Sequence, residues 1–199
     1  PGPAEELAGE GMSTAATPRA VAEVSDITIL MVTDTSAVDT VLHGPDGVIA
    51  GLSSGKSVID MSTTKVRETR EWAKEVKAAG AHYIDAPVSG GTPGAEAGNL
   101  TILIGADEAS LPGTMPVFGV LGENITHIGD IGAGQVTKTA NQAIVGMTLA
   151  AVAEGLTLAA RAGVDPAKVR TALLGGFAES RVLDLHGGRM VDRAFEPGG

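Results

Sequence analysis

The sequence predicts an α/β protein with a mainly parallel sheet, passing near residue 131 into an all-helical part. Two observations carry this reading. Short apolar, β-branched runs recur with helical spacers between them, and from Gln135 to Ala162 the chain contains no proline. The strand candidates are Ile27-Val32, Ser57-Met61, Tyr83-Val88, Leu100-Ile104 and Ile125-Ile128. After the first of them, Thr33-Asp34-Thr35-Ser36 is a helix-capping sequence. Residues 64–79 place Val66, Trp72 or Ala73, and Val76 on one stripe with charged residues largely elsewhere, and Gly80 follows as a stop. Residues 107–121 read as another helix, which Pro112 and Pro116 should break early. Residues 135–162 read as one long helix ending at Gly163. Asp165-Pro166 then supplies an N-cap and a first-turn proline for a helix to about Leu174, and Ala178 to Met190 forms a third. The expected domains are therefore 1–131 and 132–199.

Composition removes several function classes. The chain carries 14 Lys plus Arg against 24 Asp plus Glu, a net charge of -10, which repels a phosphate backbone or an anionic lipid surface. No nucleic-acid partner is expected. Trp72, Tyr83, Phe118, Phe177 and Phe195 are too few and scattered for a base-stacking platform. The absence of cysteine excludes disulfides, thiolate metal sites and a cysteine nucleophile, and His43, His82, His127 and His186 lack metal-ligand spacing, so no metal is expected. No run approaches the length of a membrane span, and the first residues lack a basic segment followed by an apolar one. The expectation is a cytoplasmic protein with no membrane partner.

A doubly wound sheet invites a search for the glycine fingerprint that binds a dinucleotide pyrophosphate, G-x-G-x-x-G between a strand and a helix. It is absent. The nearest pattern, Gly132-Ala133-Gly134-Gln135-Val136-Thr137-Lys138-Thr139, places β-branched Thr137 where the last glycine should be.

Two segments carry candidate chemistry. In Asp85-Ala86-Pro87-Val88-Ser89-Gly90-Gly91 a strand runs into a glycine-rich loop with one serine, which presents a hydroxyl and open backbone N–H groups suited to a small carboxylate. An ordinary strand-to-strand turn has the same composition, and that alternative stays open here. At the start of the long helix, Lys138, Asn141 and Gln142 stand at i, i+3 and i+4 on one face among small apolar neighbours. A lysine partly desolvated near the positive end of a helix is a better proton donor and acceptor than a solvated one. A surface lysine with a buried stem is the alternative reading. Asp26, Asp34, Asp60 and Asp85 lie at strand ends or loops, where aspartate more often caps than catalyses.

At these segments, and at Asp60-Met61-Ser62-Thr63, the chain resembles the β-hydroxyacid dehydrogenase family. The resemblance runs from Ala4-Glu5-Glu6-Leu7 to Phe195-Glu196-Pro197-Gly198. It implies a Rossmann-like sheet whose first β-α-β unit lies outside this chain, then a long interdomain helix and a truncated all-α domain. It further implies NAD or NADP as cofactor, with Lys138 as general acid, and Ser89, Gly90 and Gly91 as a carboxylate cradle. Asn141 with Gln142 would orient substrate, and Thr63, Val32 and Thr33 would lie near the nicotinamide. Val32-Thr33 departs from the Leu-Pro pair usual in the family.

Residues 140–145, Arg181-Val182-Leu183-Asp184 and Met190-Val191-Asp192-Arg193 follow the branch that reduces tartronate semialdehyde to glycerate. The branch acting on 3-hydroxyisobutyrate is the alternative, although it usually carries two asparagines at positions 141 and 142. A non-catalytic dimerising scaffold is the alternative of another class, against which Lys138 argues. The resemblance implies a small carboxylate substrate and a homodimer or homotetramer. Because Met147 to Ala160 is almost entirely small or apolar, the long helix should be buried on several sides, bridging the two domains and, by the resemblance, contributing to the interface of that dimer or tetramer.

Overall fold

The computed structural model describes residues 2–196; Pro197-Gly198, where the resemblance ends, lie outside the described residues. The chain divides into two compact units, Pro1–Lys138 and Thr139–Gly199. The division falls inside the long helix, seven residues beyond the domain boundary expected from sequence.

The first unit is built on a six-stranded mixed sheet. Strands β1 (Ile27–Leu30), β2 (Ser57–Asp60) and β3 (His82–Asp85) run parallel to one another, each coming from one of the predicted β-branched runs. The sheet then reverses. β5 (Leu100–Gly105) is antiparallel to β3 and to the two-residue β4 (Val88–Ser89), and β6 (Gly122–Gly129) lies parallel to β5. The predicted strand from Tyr83 to Val88 is thus two short strands. Asp85 pairs with Gly105 and Ser89 with Thr101, while the Leu103 N–H donates to the Pro87 carbonyl at 3.0 Å, so residues 85–89 follow β5 as one interrupted ladder. Proline at 87 donates nothing there, which is where the regular pairing breaks.

Side-chain alternation gives the sheet two apolar faces. Val58 and Tyr83 pack with Val38, Leu42, Trp72 and Val76 on one, and Ile59 and Ile84 pack with Ile102, Ile104 and Phe118 on the other. The first face is covered by α3 (Thr35–Leu42), capped by Asp34, whose Oδ1 accepts from the Ala37 N–H at 2.9 Å, and by α4 (Val66–Ala78). Three helices were not foreseen. These are α1 (Pro3–Gly9), α2 (Pro18–Val24) and the six-residue α5 (Gly91–Glu96). The helix α6 (Leu111–Leu121) follows a 3₁₀ turn and continues past Pro116 rather than breaking early. Pro112 sits in its first turn, where the missing N–H has no helical partner to lose.

The second unit contains the rest of α7 (Ala133–Arg161) with α8 (Pro166–Leu173) and α9 (Arg181–Val191). Asp165 caps α8 as predicted, and Ser180 caps α9 by accepting from the Leu183 N–H. Helices α8 and α9 are joined where the Arg170 guanidinium donates to the Asp184 carbonyl and carboxylate.

α7 corrects one expectation. It is long and apolar enough to cross a membrane by length and composition, one 18-residue stretch of it having a mean hydropathy of 1.7. Its second half is exposed in the single chain: among residues 147–160 only Leu156 is buried, while Met147 and Leu158 stand 67% and 71% exposed.

Candidate active site

The functional candidates of the first unit gather where strands end. Val32 and Thr33 follow β1, Thr63 follows β2, and Asp85 closes β3. Ligands in open α/β sheets bind outside such carboxyl ends. Val32 is half-buried and Thr33 and Thr63 are exposed. The first two loops are held in register by hydrogen bonds: the Val32 N–H donates to Ser62 Oγ at 3.0 Å, and the Ser62 N–H donates to Asp60 Oδ1 at 3.0 Å. The Tyr83 hydroxyl donates to the other Asp60 oxygen at 2.9 Å. Burial pushes the Asp60 carboxyl upward from its ordinary value, against the hydrogen bonds from Ser62 and Tyr83.

Helix α7 opens beside these loops, and its start explains the glycines at 132 and 134. Its N-cap position is Gly132, which has no side chain to cap with. A carboxylate from another strand does so instead: Asp85 Oδ1 accepts from the Gly132 N–H at 2.6 Å and Oδ2 from the Gln135 N–H at 2.9 Å. The helix N-terminus therefore already holds an anion, and that anion is a side chain of β3 rather than a phosphate. Burial pushes the Asp85 carboxyl up to about 6, opposed by those two N–H groups. A Cβ at Gly134 would lie 2.3 Å from the Leu103 carbonyl oxygen and 2.8 Å from Asp85 Oδ2, so only glycine allows this approach.

Gln135, fully buried, ties the helix to the second loop as well. Its Oε1 accepts from the Thr64 N–H at 3.0 Å and its Nε2 donates to the Ser62 carbonyl at 2.8 Å, on either side of Thr63. Lys138 follows one turn later. It is half-buried, and desolvation lowers its pKa from the ordinary 10.5. Ser89 is half-buried at the end of β4, and Gly90 and Gly91 adopt φ of 144° and 63°, which glycine alone adopts freely. The segment leads into α5 rather than into a plain turn between strands.

In the second unit, Asn141 and Gln142 lie on the next turn of α7, where the Asn141 amide donates to Gln142 Oε1 at 2.9 Å. The predicted residues thus divide between the two units. Val32, Thr33, Thr63, Ser89, Gly90, Gly91 and Lys138 belong to the first unit, and Asn141 and Gln142 to the second. Sequence reasoning missed Gln135 and Ser62 and placed Asp85 only as a general cap. The partners of Asp85 and Gln135 stand 47 to 73 residues away, and Ser62 Oγ meets Val32 across 30 residues, beyond any local pattern.

At the strand ends two exposed residues, Thr33 and Thr63, lie next to backbone N–H groups held by hydrogen bonds, that of Val32 by Ser62 and that of Thr64 by Gln135. A pyrophosphate loop is not among the described residues. Of the histidines, His43 lies between Asp39 and Glu75, and His127 meets the Ala106 carbonyl.

Residues 1–129 match the family described as the NAD binding domain of 6-phosphogluconate dehydrogenase. Residues 132–199 match that described as NAD-binding of NADP-dependent 3-hydroxyisobutyrate dehydrogenase. The chain is 48% identical over 195 residues to 2-hydroxy-3-oxopropionate reductase of Escherichia coli (strain K12), covering 98% of this chain and 67% of that protein. It is 42% identical over 146 residues to 2-(hydroxymethyl)glutarate dehydrogenase of Eubacterium barkeri, covering 73% of this chain and 48% of that protein. The crystal structure of 3-hydroxyisobutyrate dehydrogenase from Salmonella typhimurium superimposes with a TM-score of 0.85 at 31% identity, over 98% of this chain and 68% of that one. The chain thus spans about half to two thirds of the length of these relatives. With both halves matched and the fold shared, the chain belongs to the β-hydroxyacid dehydrogenase family, whose members are NAD- or NADP-dependent oxidoreductases.

Proposed function

We propose that the protein carrying this chain reduces a small β-hydroxyacid semialdehyde, tartronate semialdehyde to glycerate, in the cytoplasm. NAD(P)H, when bound, supplies the hydride. The observation that carries the reading is Lys138: a half-buried ammonium, made more acidic by desolvation, one turn beyond a helix start tied to the loop of Thr63. As negative charge develops on the carbonyl oxygen, the Lys138 Nζ gives it a proton, and in the reverse direction the neutral amine takes it back. Ser89 with the open N–H groups of Gly90 and Gly91 holds the substrate carboxylate. Asn141, oriented by the Gln142 carbonyl, aligns the hydroxyl-bearing carbon, and Val32, Thr33 and Thr63 flank the nicotinamide and its ribose. The 48% identity to 2-hydroxy-3-oxopropionate reductase supports the choice of substrate.

Assaying the full-length protein with NADH or NADPH against tartronate semialdehyde, and with NAD+ or NADP+ against 3-hydroxyisobutyrate, tests this. The reading requires kcat/KM highest for tartronate semialdehyde, and faster oxidation of 3-hydroxyisobutyrate overturns the substrate choice. Ser89→Ala should raise KM for the acid with kcat little changed, because a carboxylate contact is made in ground and transition states alike. The loss expected for a hydrogen bond to a charged group is about 1.5–3 kcal/mol. An unchanged KM removes Ser89 from the cradle.

The exposed apolar residues of α7, with Ile144 at 62% and Met147 at 67%, support a homodimer or homotetramer in which that surface is covered. Light scattering on the full-length protein should find no monomer at micromolar concentration.

A further inference from the structure

We propose that Asp85 is a positioning residue for Lys138: from the end of β3 it supplies the N-cap that α7 lacks and sets the depth and rotation at which the helix presents its lysine. This inference rests on the catalytic reading of Lys138 and adds to it the residue that aims the proton donor.

The geometry gives Asp85 this role in three ways. Its two oxygens take the Gly132 and Gln135 N–H groups separately, at 2.6 and 2.9 Å, so both the translation and the rotation of the first turn are held. The backbone is shaved to glycine on both sides of the carboxylate. A Cβ at Gly105 would come within 2.4 Å of Asp85 Oδ1, and one at Gly134 within 2.8 Å of Oδ2. Third, the N–H that Asp85 holds belongs to Gln135, whose own side chain grips residues 62 and 64. One contact therefore registers the helix against the ends of both β2 and β3. Lys138 is three residues beyond Gln135, one turn on, so a shift of the first turn moves its Nζ by a similar distance.

The test is a double-mutant cycle in the full-length protein with its cofactor. Asp85→Asn keeps the volume but sets an amide NH₂ against a helix N–H, and should lower kcat roughly 10- to 100-fold, the worth of an ångström-scale misplacement. The substrate KM and cofactor Kd should change less than about threefold. In a Lys138→Ala background the same substitution should cost nothing further, because the group it positions is gone. A merely structural Asp85 gives equal losses in both backgrounds, and that result overturns the proposal. Full turnover in Lys138→Ala alone instead defeats the catalytic reading of Lys138. Should Asp85→Asn not fold, amide hydrogen exchange on the unaltered protein decides: Gly132 and Gln135 must be protected as strongly as the amides of β3. Free exchange at both positions shows that the clamp does not hold the helix.

Discussion

Lys138→Ala is expected to lower kcat by roughly 10²- to 10⁴-fold, the usual worth of a positioned acid or base, while cofactor affinity and melting temperature stay near their unaltered values. The loss should fall on kcat because the proton is needed only as charge develops on the carbonyl oxygen. Lys138→Arg should not restore turnover, since guanidinium stays protonated and its planar fork aims its donors differently. The pH dependence follows from the direction of the shift. Burial disfavours the ammonium, so Lys138 loses its proton below the ordinary lysine value of 10.5. Reduction needs the ammonium and should fall as pH rises through that pKa. Oxidation needs the free amine and should rise over the same interval. Identical alkaline limbs in wild type and Lys138→Ala would assign the titration to another group.

The second large effect is on folding. Gly134→Ala is expected to destabilise the protein by about 3 kcal/mol or more, at the upper end of what overpacking a tight interior costs. The added methyl would meet the Leu103 and Asp85 carbonyl oxygens at 2.3 and 2.8 Å, and Asp85 Oδ2 at 2.8 Å. Two of the three are backbone atoms, which cannot rotate away, so the helix must lift from the sheet and break the Asp85 cap. Urea unfolding of the variant measures this, with Gly146→Ala as control, since a Cβ at Gly146 meets nothing within 4 Å. Equal stability in the two variants would contradict the tight docking of α7.

What the sequence made legible follows from how local each signal is. Strands β1, β2 and β5 and helices α4, α7 and α8 announce themselves through side-chain period and caps within a few residues of one another, and they appear where predicted. Helix α2 carries such a signal too: Thr17 before Pro18 accepts from the Ala20 N–H. The reversal between β3 and β5 has no local signature, because a β-branched run does not encode the direction of its neighbour. At the site, Lys138 is half-buried as expected, although the apolar neighbours that suggested it, Val136, Ala140, Ala143 and Ile144, are themselves exposed. The capping of α7 by Asp85 was not. Gly132-Ala133-Gly134 looks like a defective phosphate loop until the sheet brings a carboxylate to it; Gly134 is then explained by the approach of β3 and β5, and Gly132 by its φ of 92° and the nearness of Arg70 on α4.

The central claim, that Lys138 delivers the proton, is tested most directly by chemical rescue. Adding small primary amines to Lys138→Ala, with saturating cofactor and substrate, should restore turnover in a saturable way. The restored rate should depend on the protonated amine and fall as the amine grows too large for the space the side chain vacates. No rescue by any amine, in a variant that still binds cofactor and substrate, would contradict Lys138 as the proton donor.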